Sequence, residues 1–340
     1  MNASVSIAKL TAKDYASDQE VRWCPGCGDY AILKAIQRVM PTLGIPREQS
    51  VFVSGIGCSS RLPYYMNTYG FHTIHGRAPA VATGVKLANP ELDVWVITGD
   101  GDGLSIGGNH MMHVLRRNVN LQVLLFNNEI YGLTKGQYSP TSKHGIRSPS
   151  TPEGSVDSPL SPCALALGAG ARFIARSVDT QITHLSDVVT RAHAHVGASF
   201  VEIFQNCNVY NDLVFAHFTD RAVAANAQVD VKHGEPLRFG KDGEKGLRLN
   251  VETLALEVIE PGKAGATDAD VLVHNETSKV IAQLLIGLEA PEFPVALGVI
   301  YQAPGDEFVH NVYAQREGIQ QTRGTGDVDA LLRRGHTWTV

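Results

Sequence analysis

The sequence predicts an α/β fold, a parallel β-sheet with helices packed on both of its faces. Three observations carry that prediction. The runs over residues 51–54, 94–98 and 121–126 are continuously apolar, as strands buried on both faces are. Segments with helical spacing lie between them. Each run ends in a turn rich in glycine or asparagine, and in a parallel sheet such ends collect at one edge.

Taken in order, residues 29–40 read as a helix following Gly28. Residues 51–54 form a strand that runs into the turn Gly55-Ile56-Gly57. A small-residue helix spans 78–87, and the strand 94–98 stops at Gly99. Residues 104–116 read as a helix. It ends at Arg116 and Arg117, where cations favour the helix dipole. Residues 121–126 form the next strand, 164–170 a tightly packed helix, 181–196 a longer helix and 200–205 another strand. Between 129 and 162 the periodicity fails and Gly, Pro, Ser and Thr dominate. A segment of that length reads as a functional loop or lid. Residues 1–230 are thus read as one domain. Residues 231–340 are read as a C-terminal extension, where Gly234, Gly240, Gly243 and Gly246 interrupt a charged stretch and 270–288 could form a helix.

The 340 residues suffice for one large domain and an appendage. A net charge of −5 argues against a nucleic-acid binder. The first 23 residues, with Lys9, Lys13, Asp14, Asp18 and Glu20, lack the apolar run of a signal peptide, and no later stretch suits a bilayer. The expectation is a cytoplasmic protein with no membrane contact.

The strongest local signal is Gly99-Asp100-Gly101, followed after 25 residues by Asn127-Asn128. Asp100 lies just past one strand and Asn128 just past the next, with a helix between, so both reach the carboxyl edge of the sheet. The glycines allow close backbone approach, and the helix that follows offers free N–H groups to an anion. A carboxylate and an amide oxygen suit Mg²⁺ shared with a diphosphate.

The five cysteines make a poor disulfide set. Cys24-Pro25-Gly26-Cys27 precedes a helix, while Cys58 and Cys207 each follow a strand. The fold logic brings these four thiols to the same edge. They suit tetrahedral Zn²⁺ or a cubane iron–sulfur cluster. A single Cys-x-x-Cys pair with two distant partners fits the cluster better, since structural zinc more often uses two such pairs. A thioredoxin-like reading of Cys24 and Cys27 leaves the other loop cysteines without a role. Cys163 opens an apolar helix and reads as a small buried thiol. His110 and His113 could bind metal from one helix face, but one packing against the sheet and the other solvated or at an interface is the preferred reading.

Together Trp23-Cys24-Pro25-Gly26-Cys27-Gly28, Ser54-Gly55-Ile56-Gly57-Cys58-Ser59, His75-Gly76-Arg77-Ala78, Gly99-Asp100-Gly101, Asn127 to Gly132 and Thr134 to Gln137 resemble the β subunit of 2-oxoacid:ferredoxin oxidoreductases over about residues 20–220. The resemblance implies a thiamine-diphosphate-binding fold in which Asp100, the Asn128 side chain and the Ile130 carbonyl hold Mg²⁺. Gly99, Gly101, Cys58, Ser59, His75, Arg77 and Leu133 would line the cofactor, and Leu133 would pack on its thiazolium. Cys24, Cys27, Cys58 and Cys207 would hold a [4Fe–4S] cluster. The implied reaction converts a 2-oxoacid, coenzyme A and oxidised ferredoxin into acyl-CoA, CO₂ and reduced ferredoxin, and can run backwards as reductive carboxylation. The glutamate that activates the aminopyrimidine is not evident. In the family it comes from an α subunit, which implies an αβ or α₂β₂ enzyme. Arg61 could pair with a substrate carboxylate or be a plain surface or interface residue, and Lys135 could hold the incoming acid. The segments around Arg61 and His75 resemble 2-oxoglutarate-type enzymes more than pyruvate-type ones, with pyruvate or a branched 2-oxoacid as the alternative. Two rival readings are a non-redox thiamine lyase with structural zinc and an electron carrier with a vestigial thiamine motif.

Overall fold

The computed structural model describes residues 10–338; the first nine residues, Lys9 among them, lie outside the described part. One eight-stranded sheet organises the chain, in the order β2-β1-β3-β4-β6-β5-β11-β7. Strands β1 (Ser50–Ser54), β2 (Tyr69–His72), β3 (Asp93–Gly99), β4 (Leu121–Asn127), β5 (Phe173–Val178) and β6 (Ala198–Phe204) run parallel. Strands β7 (Gln228–Val231) and β11 (Val295–Gln302) pair in parallel with each other, and β11 lies antiparallel to β5.

Helices cover both faces, as the apolar strands require. On one face α1 (Asp29–Val39) and α6 (Ile182–Ala194) pack Ile32, Ile36, Leu185 and Val189 against Trp95, Ile97, Leu124 and Phe126. On the other, α2 (Ala78–Ala88), α4 (Gly108–Arg116) and α5 (Pro162–Gly168) pack against Val94, Val96, Val123 and Leu125. The alternation along β3 and β4 sends successive side chains to opposite layers. Full burial of each large apolar side chain contributes about 1.5–3 kcal/mol.

Three expectations are corrected. The helix read over 104–116 is two: α3 (Asp100–Leu104), then α4 after a break at Ser105–Gly107. The Gly76 backbone passes close to this break, where a Cβ on Gly76 would lie 2.5 Å from the Gly107 nitrogen. The chain after residue 230 is not a separate appendage, since β11 is an inner strand of the main sheet. A small antiparallel sheet of β8 (Arg238–Phe239), β9 (Lys245–Asn250) and β10 (Ala255–Ile259) intervenes, after the short helices α7 (Ala216–Thr219) and α8 (Ala224–Ala227). The helix read over 270–288 is confined to α9 (Lys279–Ile286), which starts where the Ser278 hydroxyl caps the Ile281 N–H. The remaining C-terminal helices are α10 (Phe308–Arg323) and α11 (Val328–Leu332). Among the described residues no helix is long and apolar enough to cross a membrane.

His195, just past α6, is buried against Phe173 with its Nε2 unpartnered. Burial lowers its pKa to about 4. The unfolded chain protonates it near pH 6.5, so the unfolded state binds more protons between about pH 6.5 and 4 and stability falls as pH falls through that window. His195→Phe should flatten this part of the acid limb in urea unfolding followed against pH. An unchanged limb would reject the assignment.

Candidate functional site at the carboxyl edge

The carboxyl ends of β1, β3, β4 and β6 share one edge, and two adjoining cavities open along it. The larger, about 620 Å³, is lined by His75, Gly99, Asp100, Gly101, Asp102, Ser59, Asn128, Ile130, Tyr131 and Leu133 among others. That volume suits a cofactor. The second, about 210 Å³, is lined by all four of Cys24, Cys27, Cys58 and Cys207, together with Arg61, Lys135 and Gln205. Cys58, Asn128, Gly132 and Leu133 form walls of both.

Asp100 sits at the start of α3, 2 % exposed. Burial raises its pKa, opposed by hydrogen bonds from Ser139 and Thr141. Both hydroxyls donate to the same oxygen, Oδ2, at 2.5 and 2.6 Å. The other oxygen is left for a cation. Asn128 gives its Nδ2 hydrogen to Gln205 Oε1 at 2.8 Å, which presents Oδ1, already accepting from the Ile130 N–H at 3.2 Å. The Ile130 carbonyl accepts no hydrogen bond among the described residues. A carboxylate, an amide oxygen and a free carbonyl within one cavity are the oxygen donors a hard divalent cation takes.

Asp102 is the residue that sequence reading missed and the site depends on. Its Oδ1 accepts from the N–H groups of Ile56 and Gly76 at 3.0 and 2.7 Å and from His75 Nδ1 at 2.8 Å, while Oδ2 accepts from the Thr98 hydroxyl at 2.6 Å. One buried carboxylate thereby ties the turn after β1 and the His75 loop to the end of β3. The bond to Asp102 leaves Nε2 as the free ring nitrogen of His75. Gly55 must be glycine here, because a Cβ would lie 1.9 Å from Asp102 Oδ2. The Gly-Asp-Gly-Asp sequence was the available signal, with its second acid placed to turn back on the strand.

The cysteine segments are stitched together by backbone contacts. Trp23 Nε1 donates to the Cys58 carbonyl at 2.7 Å, the Gly28 N–H to the Asn206 carbonyl at 3.1 Å, and Asn208 Nδ2 to the Pro25 carbonyl at 2.7 Å. Gly26 takes φ +85°, which the tight Cys24–Cys27 turn requires. The sulfurs of Cys58 and Cys207 each lie 3.5 Å from where a Cβ on Gly132 would sit, so no more than twice that separates them. Burial, then the nearby Asp29 carboxylate, pushes the Cys58 thiol up to about 12 and the Cys27 thiol higher still. Thiolates in such surroundings need a bound cationic centre.

The remaining predicted residues fall in different places. Ser59 lines the larger cavity, Leu133 borders both, and Arg61 and Lys135 line the smaller one. Lys135 takes φ +77°, a left-handed backbone seldom seen outside glycine, in the irregular segment that carries Ser139 and Thr141. Arg77 is not brought into the larger cavity. Its guanidinium donates to the Ile106 carbonyl at 3.2 Å, across the break between α3 and α4. Cys163 is a fully buried thiol, 3.1 Å from Glu202 Oε2. His110 and His113 are half-buried on α4 and Arg117 lies over the Phe308 ring, with no metal-binding trio formed among the described residues.

A doubly covered parallel sheet with a buried carboxylate, Asp100, at its carboxyl edge is the fold of a thiamine-diphosphate-binding domain. The profile of the family "Thiamine pyrophosphate enzyme, C-terminal TPP binding domain" matches residues 55–203. The chain is 46% identical to 2-oxoglutarate oxidoreductase subunit KorB of Mycobacterium tuberculosis, over 96% of this chain and 88% of that one. It is 46% identical to 2-oxoacid:ferredoxin oxidoreductase 1, subunit beta, of Aeropyrum pernix over 62% of this chain and 67% of that one. A solved structure of the 2-oxoglutarate:ferredoxin oxidoreductase from Magnetococcus marinus, with 2-oxoglutarate, coenzyme A and succinyl-CoA bound, superposes with a TM-score of 0.75 at 32% identity, covering 98% of each chain. The chain belongs to the β subunits of the 2-oxoacid:ferredoxin oxidoreductases, of the 2-oxoglutarate type.

Asp102→Ala would leave the Ile56 and Gly76 N–H groups unpaired. The expected cost is about 3 kcal/mol in denaturant unfolding, with the Cys58 turn becoming susceptible to protease. Stability equal to wild type would contradict the role given to Asp102.

Proposed function

We propose that this chain is the β subunit of a 2-oxoglutarate:ferredoxin oxidoreductase, forming succinyl-CoA and CO₂ from 2-oxoglutarate and coenzyme A and passing the electrons to ferredoxin. The observation that carries the reading is the wall common to both cavities: Cys58, Asn128, Gly132 and Leu133 border the cation site on one side and the thiols on the other. Two cofactors seated there would lie close enough for direct electron transfer.

Thiamine diphosphate, when bound, supplies the electron sink for loss of CO₂ from a 2-oxoacid. The chain's own residues do the rest. Asp100, Asn128 and the Ile130 carbonyl would hold Mg²⁺ on the diphosphate, Gly99 and Gly101 would let the backbone approach it, and His75 would present its free nitrogen. Leu133 would pack against the reactive ring and exclude water. Cys24, Cys27, Cys58 and Cys207 would hold a [4Fe–4S] cluster. The four thiols line one cavity, and a single Cys-x-x-Cys pair with two distant partners favours the cluster over zinc. Arg61 and Lys135 would offer cations to the two carboxylates of the substrate. The matching family model is a C-terminal TPP-binding domain. An α subunit would bring the pyrimidine half and its glutamate, making the enzyme αβ or α₂β₂.

Anaerobically purified enzyme should be brown, bleach with dithionite, and contain iron, sulfide, magnesium and thiamine diphosphate together. A colourless protein carrying zinc would reject the redox reading. Lys135→Ala should raise the KM for 2-oxoglutarate by on the order of tenfold, the loss of one charge-assisted contact. Unchanged steady-state kinetics would remove Lys135 from the substrate site.

A further inference from the structure

Gln205, the residue just past β6, is 1 % exposed, lines the smaller cavity and bonds Asn128 in the wall shared with the larger. Each polar atom of its side chain is engaged. Nε2 donates to the Asn206 carbonyl at 2.6 Å and to the Cys27 sulfur at 3.2 Å, and Oε1 accepts from Asn128 Nδ2 at 2.8 Å. The partners leave no choice of orientation. A backbone carbonyl only accepts, so Nε2 must face Asn206. The same turn of the amide points its second hydrogen at Cys27 and its oxygen at Asn128. Asn128 must answer with Nδ2, and its own oxygen is thereby presented to the cation. The Gln205 backbone is fixed too, its N–H donating to the Asn127 carbonyl at 2.8 Å.

We propose that Gln205 is a positioning residue for both cofactors at once. It orients Asn128 for Mg²⁺, and it donates an N–H to the Cys27 sulfur that makes the cluster easier to reduce. This rests on the reading of the site given above. The electrical part follows from charge. A hydrogen bond to a cluster thiolate stabilises the more negative, reduced state more than the oxidised one, and so raises the reduction potential. The geometric part follows from satisfaction of donors. Without an acceptor at position 205 the half-buried Asn128 amide loses the partner that keeps its oxygen toward the metal.

Two substitutions separate these effects in the complete enzyme. Gln205→Met keeps the length and removes all three side-chain bonds. Gln205→Glu keeps an acceptor for Asn128 and removes the donor to Cys27. The readouts are the cluster midpoint potential, from a redox titration followed by electron paramagnetic resonance, and the Mg²⁺ concentration needed to retain thiamine diphosphate in equilibrium dialysis. Both variants should show a more negative midpoint. The Mg²⁺ requirement should rise on the order of tenfold in the Met variant and stay near wild type in the Glu variant. If the Glu variant fails to take up iron, the Met variant alone decides both arms. Wild-type potential in the Met variant, or a wild-type Mg²⁺ requirement in it, overturns the proposal. A wild-type enzyme lacking iron and sulfide would instead overturn the underlying reading of the site.

Discussion

Parallel pairing of β1, β3, β4 and β6 is the constraint on which everything else in this structure depends. In-register parallel strands must all end on the same side, and each here leads into a polar or thiol-bearing residue. β1 runs into the turn before Cys58, β3 into Asp100, β4 into Asn128 and β6 into Gln205 and Cys207. Residues far apart in sequence thus become neighbours without any long excursion of the chain. The apolar layers on both faces make this convergence rigid, because a one-residue slip of any inner strand would send a buried side chain into the wrong layer.

Convergence alone would crowd like charges and unpaired groups into a dry edge, and the structure answers with dense local pairing. Asp102 alone accepts four hydrogen bonds. Asp100 takes two hydroxyls on one oxygen. A second buried network lies behind them. Glu202 accepts from Arg176 Nε at 2.8 Å and from Asn127 Nδ2 at 2.8 Å, and Asn127 Oδ1 meets the Thr141 hydroxyl at 2.9 Å. A buried ion pair of this kind gains little net stability against its desolvation cost. Its effect is geometric: it fixes the first asparagine of the pair and, through Thr141, couples the irregular segment to Asp100.

Much of this was legible beforehand. The strands carrying Asp100 and Asn128 are uniformly apolar and bounded by glycine or asparagine, so their ends could be located and the motif residues placed on one edge. β5 was not legible, because Arg176 interrupts its pattern with a charge that only the partner Glu202 explains. β2 was not legible either, since all four of its residues are exposed at the sheet's outer edge and show no alternation. β11 reads as apolar, yet nothing local reveals that it returns from the far end of the chain to pair antiparallel with β5. Ser139, Thr141 and Gln205 are ordinary polar residues in sequence; their partners are supplied by other segments.

The sequence by itself determined which chemical groups arrive at the edge and roughly where along each strand they emerge, because apolar runs and turn residues encode strand ends locally. Only the tertiary structure decided which atom of each group faces the cavity. An amide or a carboxylate has two ends of similar size, and the choice between them is made by hydrogen-bond partners drawn from distant parts of the chain. That choice is what separates a rim of suitable residues from two sites that share a wall.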